Sequence, residues 1–173
     1  MPHNRGKKFE TIIKDSFLKV PGVSVDRLHD QTTGFKGSQN ICDFIVYRRP
    51  YEYYIECKSV HGNTLPFNNI TDTQWNGLLE KSNIYGVCAG VICWWVDKDV
   101  TKFIPIQLLQ TLKEHGGKSI RYDVIMGDGF PTIQINGRKK HIYFDYDMEN
   151  FLDATNRFML YEESRQRELS DIW

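Results

Sequence analysis

A chain of 173 residues, 40% hydrophobic and 13% aromatic, can build one well-packed domain and is too short for two comfortable ones. Its 22 basic residues balance 22 acidic ones, so any nucleic-acid surface must come from local clustering rather than from an overall cationic surplus. The longest apolar run, Val87 to Val96, is about half a membrane span. With no apolar leader at the N-terminus, the expectation is a soluble, cytoplasmic protein without membrane association.

Asn4 is placed to cap a helix running to about Val20, because Phe9, Ile12, Ile13, Phe17 and Val20 recur at helical spacing and Pro21-Gly22 ends the pattern. Glu10 shares a stripe with Ile13 and Phe17, at the edge of the buried face, where a carboxylate needs a partner. Val23 to His29 alternates like a strand, and Gly34 to Ser38, carrying Lys36, reads as a mobile loop. Ile41 to Tyr47 and Glu52 to Ser59 are β-prone runs joined by Arg48-Arg49-Pro50-Tyr51, which makes a hairpin. A helix from about Thr71 to Asn83 and a fully apolar strand from Val87 to Val96 follow, the order expected of an α/β domain.

The rest of the pattern predicts a strand near Lys102 to Ile104 and a helix begun by Pro105 and ended by Gly116-Gly117. A second hairpin is expected to turn at Asn136-Gly137. A long charged helix from Met148 to about Leu169 should dock through Phe151, Leu152, Phe158 and Met159 and project beyond them. No repeat or linker marks a second domain, so residues 1–173 read as one unit. Cys42, Cys57, Cys88 and Cys93 lack CxxC spacing and a histidine ladder, which leaves reduced, buried thiols rather than zinc ligands or disulfides.

The chemistry concentrates in the first hairpin. If its turn is centred between Arg49 and Pro50, counting back along both strands brings Asp43 opposite Glu56 and Cys42 opposite Cys57. Directly opposed carboxylates destabilise a sheet, so a cation is expected between them. Lys58 points from the same face as Glu56, and Glu10 supplies a third carboxylate if the first helix packs there. Three carboxylates and an ammonium suit Mg²⁺, with Mn²⁺ able to substitute, better than zinc. Such a set fits phosphodiester hydrolysis, in which Lys58 orients or helps deprotonate the nucleophile. The basic clusters Arg5, Lys7, Lys8 and Arg138, Lys139, Lys140, together with Lys36, are the candidate phosphate contacts of a branched or duplex DNA partner. A structural salt bridge between Lys58 and the two acids is the competing reading.

Several segments, taken in order, resemble the RecU-type Holliday junction resolvases and their phage relatives within the PD-(D/E)xK nucleases. Asn4 to Glu10 resembles the family's NRGxxxE helix, and Asp43 with Glu56-Cys57-Lys58 resembles its D…ExK core. Asn63 to Asn69 through Gln74 is similar to its TSFPLKN…Q segment, and Gly117 to Ile120 to its GRKSI segment. The resemblance implies an α/β, restriction-endonuclease-like core: a mixed β-sheet flanked by helices, with a long C-terminal helix. It further implies Mg²⁺-dependent cleavage of four-way junctions by a homodimer, with Asp43, Glu56, Gln74 and Glu10 at the metal and Lys58 stabilising the transition state. The chain departs from the pattern in lacking a long stalk before Asp43 and in carrying Ile41 where the family has Thr, and the phage branch looks nearer. Possible dimer surface is offered by Trp94 and Trp95, on opposite sides of their strand, and by the C-terminal helix. The alternatives are another PD-(D/E)xK endonuclease, of restriction, homing or repair type, and an inactive DNA-binding recombination accessory protein.

Overall fold

A computed structural model describes the backbone of residues 3–28 and 40–170 and the side chains of residues 5–28 and 40–164. The amphipathic N-terminal segment forms α1 (His3–Phe17), and its Phe9, Ile13 and Phe17 are fully buried, as residues four apart on one stripe should be. The capping role given to Asn4, the strand end at His29 and the loop carrying Lys36 lie outside the described side chains or residues.

Strands β1 (Ser24–Arg27), β2 (Phe44–Arg48) and β3 (Tyr51–Val60) form an antiparallel meander. Its second hairpin pairs Arg48 with Tyr51 and Phe44 with Ile55, the register read from the turn. The chain then leaves the sheet through β4 (Thr64–Pro66), enters α2 (Asp72–Ser82), and returns as β5 (Val87–Trp95), parallel to β3. Parallel neighbours require such a crossover. At the start of α2, Thr71 accepts from the Gln74 backbone N–H while the Gln74 side chain accepts from the Thr71 N–H, a reciprocal cap worth about 1 kcal/mol.

Strand β6 (Val100–Pro105) runs antiparallel to β5, followed by α3 (Ile106–Glu114), β7 (Ser119–Arg121), paired with β4, and the single turn α4 (Tyr122–Ile125). β8 (Ile133–Gln134) pairs with β6 and completes a six-stranded mixed sheet of order β1-β2-β3-β5-β6-β8. Last come the ribbon β9 (Gly137–Lys140) and β10 (Tyr143–Tyr146), then α5 (Met148–Ser170). The architecture is therefore the expected one: α/β, a central mixed sheet flanked by helices, with a long C-terminal helix.

Alternation along the strands splits the core into two layers. Phe44, Val46, Tyr53, Ile55, Cys57, Ile92 and Trp94 pack against α1 and the first turns of α5. Tyr54, Val60, Val91, Cys93 and Trp95 pack against α2, α3 and the β4/β7 pair. Every residue of β5 is buried, as expected for a strand covered on both faces.

Three expectations are corrected. Trp94 and Trp95 do point to opposite faces, but they are 1% and 0% exposed within a single chain, so neither offers dimer surface. The ribbon turns at His141 and Ile142, with His141 in the left-handed region at φ 56°. Gly137 instead begins β9, where a Cβ would lie 2.7 Å from the Asp145 carbonyl oxygen; close strand approach, not turn geometry, calls for glycine there. Finally, β2 stops at Phe44, so Cys42 and Cys57 do not face each other, and they lie in different core layers. No described helix is long and apolar enough to cross a membrane.

Candidate active site

The end of β2 creates the site. Asp43 sits one residue beyond the ladder, its N–H donating to the Ile55 carbonyl at 3.0 Å and its own carbonyl accepting from Leu28 N–H at 2.9 Å. Because the strand stops there, the Cys57 N–H has no ladder carbonyl to meet, and the Asp43 carboxylate takes that place through Oδ2 at 2.7 Å. The register ends at Phe44 and Ile55, so Asp43 and Glu56 are not the ladder partners that the turn arithmetic predicts. The Asp43 carboxyl senses the Glu56 charge while it is turned back onto β3.

Glu56 and Lys58 share the β3 face that looks toward α2. The Lys58 ammonium donates to Glu56 Oε1 at 2.6 Å, and Gln74 Nε2 from the first turn of α2 donates to the same oxygen at 2.7 Å. Glu56 Oε2 is buried and has no hydrogen-bond partner among the described residues. A buried, unsatisfied carboxylate oxygen carries a desolvation cost of a few kcal/mol. Gln74 therefore spends its amide oxygen on the helix cap and its amide nitrogen on Glu56.

Electrostatics follow from this crowding. Burial, then the Glu56 charge, pushes the Asp43 carboxyl up to about 8, against the lowering effect of the Cys57 N–H. Burial likewise raises Glu56, opposed chiefly by Lys58. Glu10 adds negative potential at both acids, but it does so from the other side. The stripe of α1 packs on the face of Cys57 and Phe44, so the condition set for Glu10 as a same-face ligand fails. Its carboxylate reaches the end of the sheet and is held there by Arg27 at 2.7 Å.

Sequence reasoning missed Arg27, whose alternating strand context carries no signal of its own. It also missed Gly77, where a Cβ would lie 2.4 Å from Ile41 Cγ2. That glycine lets α2 close over the residue two before Asp43, and a glycine inside a helix was the available clue.

The basic clusters divide. Arg5 lies at the site end of the sheet, where its guanidinium meets His61, the residue after β3, and Lys7 and Lys8 are exposed on the same helix. In the other cluster Arg138 is exposed, but Lys139 is paired with Asp99 and Lys140 with Asp145. Among the described residues no three His, Cys, Asp or Glu side chains are already gathered as a metal cage. A cavity of about 550 Å³, lined by Tyr85, Cys88, Met159 and Glu163 among others, opens at the opposite end of β5 and includes none of these site residues.

No family model matches the chain, and no curated protein matches it. Among solved structures it is similar to the 1.6 Å structure of Hjc, a Holliday junction resolvase of the archaeal hyperthermophile Archaeoglobus fulgidus. Identity is 20%, the match covers 60% of this chain and 78% of that one, and the TM-score is 0.45. An overlap that loose identifies neither a family nor an activity.

Proposed function

We propose that this chain is a divalent-metal-dependent endonuclease of the PD-(D/E)xK type that hydrolyses phosphodiester bonds in branched DNA. The observation that carries the reading is the orphaned, buried Glu56 Oε2, in a carboxylate whose charge helps raise the Asp43 carboxyl. An all-oxygen donor set beside an unmet carboxylate fits a hard cation, Mg²⁺ or Mn²⁺. Asp43 and Glu56 would hold it, with the Gln74 amide fixing Glu56 and Glu10 contributing only its negative potential from the α1 side. The ion would supply Lewis-acid stabilisation of phosphate charge and a more acidic bound water.

The chain's own groups do the rest. Gln74 and Lys58, both on Oε1, fix the Glu56 carboxylate so that Oε2 is left over. The Lys58 ammonium, anchored at 2.6 Å, is positioned to steady the attacking oxygen or the charge growing on the phosphate. The end of β2 at Phe44 leaves the Asp43 carboxylate on the N–H of Cys57, the residue between Glu56 and Lys58.

The direct Lys58–Glu56 ion pair also suits a structural bridge in an inactive DNA-binding protein. Against that, a structural pair gains nothing from a second, partly buried acid and an unsatisfied oxygen. A gel assay with four-way, duplex and single-stranded DNA, with and without Mg²⁺, decides between them. Mg²⁺-dependent cleavage with four-way DNA preferred supports the proposal. Equal cleavage of all duplexes would leave a different PD-(D/E)xK endonuclease, and tight binding without cleavage would leave the accessory protein.

A two-fold homodimer would present matching sites to the opposed strands of a junction. With the tryptophans enclosed, α5 is the candidate surface for it, and its Leu160 and Tyr161 are among the exposed apolar side chains of the described residues. Sedimentation with junction DNA tests this: a persistent monomer would reduce the activity to simple nicking.

A further inference from the structure

Where β3 and β5 end side by side, four groups are linked in series. Arg5 Nη1 lies 2.6 Å from His61 Nε2, His61 Nδ1 lies 2.8 Å from Asp97 Oδ1, and Asp97 Oδ2 accepts from the Gly62 N–H at 2.6 Å. A guanidinium can only donate, so Nε2 must accept, and the ring proton must sit on Nδ1 and be donated to Asp97. The tautomer and the ring plane are thereby fixed. The Gly62 amide, first among the causes that hold the Asp97 carboxyl below its ordinary range, fixes the carboxylate in turn.

The series ends on Arg5, which makes no carboxylate pair among the described residues, unlike Arg27 and Arg48. A cation held by a neutral imidazole keeps its charge and its remaining donors for something else. His61 follows Lys58 by three residues, about 10 Å along an extended strand, so Arg5 stands at the end of β3 that carries Lys58.

We propose that His61 and Asp97 are positioning residues that aim Arg5 at a DNA backbone phosphate other than the scissile one, at the end of β3 that carries Lys58. This rests on the nuclease reading of Asp43, Glu56 and Lys58. It assigns work to two exposed side chains that do not belong to that set.

The test is equilibrium binding of a four-way junction in EDTA across a salt series, for the wild type and for Arg5→Ala, His61→Phe, His61→Gln and Asp97→Ala. Arg5→Ala should weaken binding about tenfold and lower the salt slope by about one. His61→Phe and Asp97→Ala should move both quantities in the same direction. His61→Gln should recover most of the loss, because its amide oxygen reaches the position of Nε2. Added to Arg5→Ala, His61→Phe should change nothing further. Wild-type affinity and slope in His61→Phe, or an independent loss on top of Arg5→Ala, would overturn the relay while leaving the nuclease reading intact. A wild type that binds without salt dependence would overturn both. Imidazole ¹⁵N shifts give a separate readout: an Nε2–H tautomer in the free protein would by itself refute the geometry.

Discussion

Replacing Asp43 by Asn should make the metal-free protein more stable, and only over a defined pH range. The carboxyl is pushed to about 8 from an ordinary value of 3.8, so between those values the folded protein holds a proton that the unfolded chain has released. Stability linked to this group is complete below about pH 4, falls as pH rises, and is fully lost above about pH 8. The slope is about 1.4 kcal/mol per pH unit, which bounds the total at about 5 to 6 kcal/mol. Solvent reaches Asp43, which is only partly buried, and the Lys58 ammonium opposes the shift, so about 2 kcal/mol is the working figure. Asn keeps an oxygen for the Cys57 N–H and has no charge to bury. In EDTA, thermal unfolding of Asp43→Asn should match the wild type at pH 4 and exceed it by about 4 to 8 °C at pH 9, given about 2 to 4 °C per kcal/mol for a chain of this size. A variant less stable than the wild type at pH 9, or a difference that does not change with pH, would refute the account of opposed, desolvated carboxylates.

Other perturbations probe the remaining parts of the site. Saturating Mg²⁺ should raise the wild-type unfolding temperature, by the equivalent of about 2.7 kcal/mol at one hundred times Kd, and should raise Glu56→Gln far less; equal stabilisation of both in calorimetry would move the metal elsewhere. Lys58→Ala should keep junction affinity in a binding assay yet lose about 100-fold or more in turnover, with Lys58→Arg failing to restore it because a planar fork cannot replace a compact ammonium. Gly77→Ala should cost about 1 to 2 kcal/mol in denaturant unfolding, as overpacking against Ile41 outweighs the helix propensity gained. Ile41→Ala should relieve it in the double variant, and additivity of the two would remove the contact from the argument.

Much of the site was legible because strand pairing is arithmetic. Once the turn is placed at Arg49 and Pro50, the partners of every β2 residue follow, and the observed register agrees from Arg48–Tyr51 back to Phe44–Ile55. The failure came one residue later. Nothing in the run Ile41 to Tyr47 says that pairing stops at Phe44, or that a side chain, the Asp43 carboxylate, then meets the Cys57 N–H in place of a backbone carbonyl. Glu10 shows a different limit: helical periodicity puts it on the edge of the core stripe, but not on a particular side of the sheet. The Asn136-Gly137 pair has the residues of a tight turn, yet the glycine is demanded by strand approach at Asp145. Local chemistry signalled special backbone there without saying which kind.

The balanced charge of the chain also resolves once partners are assigned. Arg27, Arg48, Lys19, Lys139 and Lys140 each lie against a carboxylate, so their fields largely cancel at distances beyond a few ångströms. Arg5, Lys7 and Lys8 make no such pair among the described residues, and Arg5 stands at the end of β3 that carries Lys58. A neutral protein can therefore show a local cationic edge beside its acidic site. That arrangement draws the backbone of a nucleic acid to the edge while leaving the carboxylates to the metal. The salt dependence of binding should accordingly be set by the few unpaired cations of α1 rather than by the net charge of the chain.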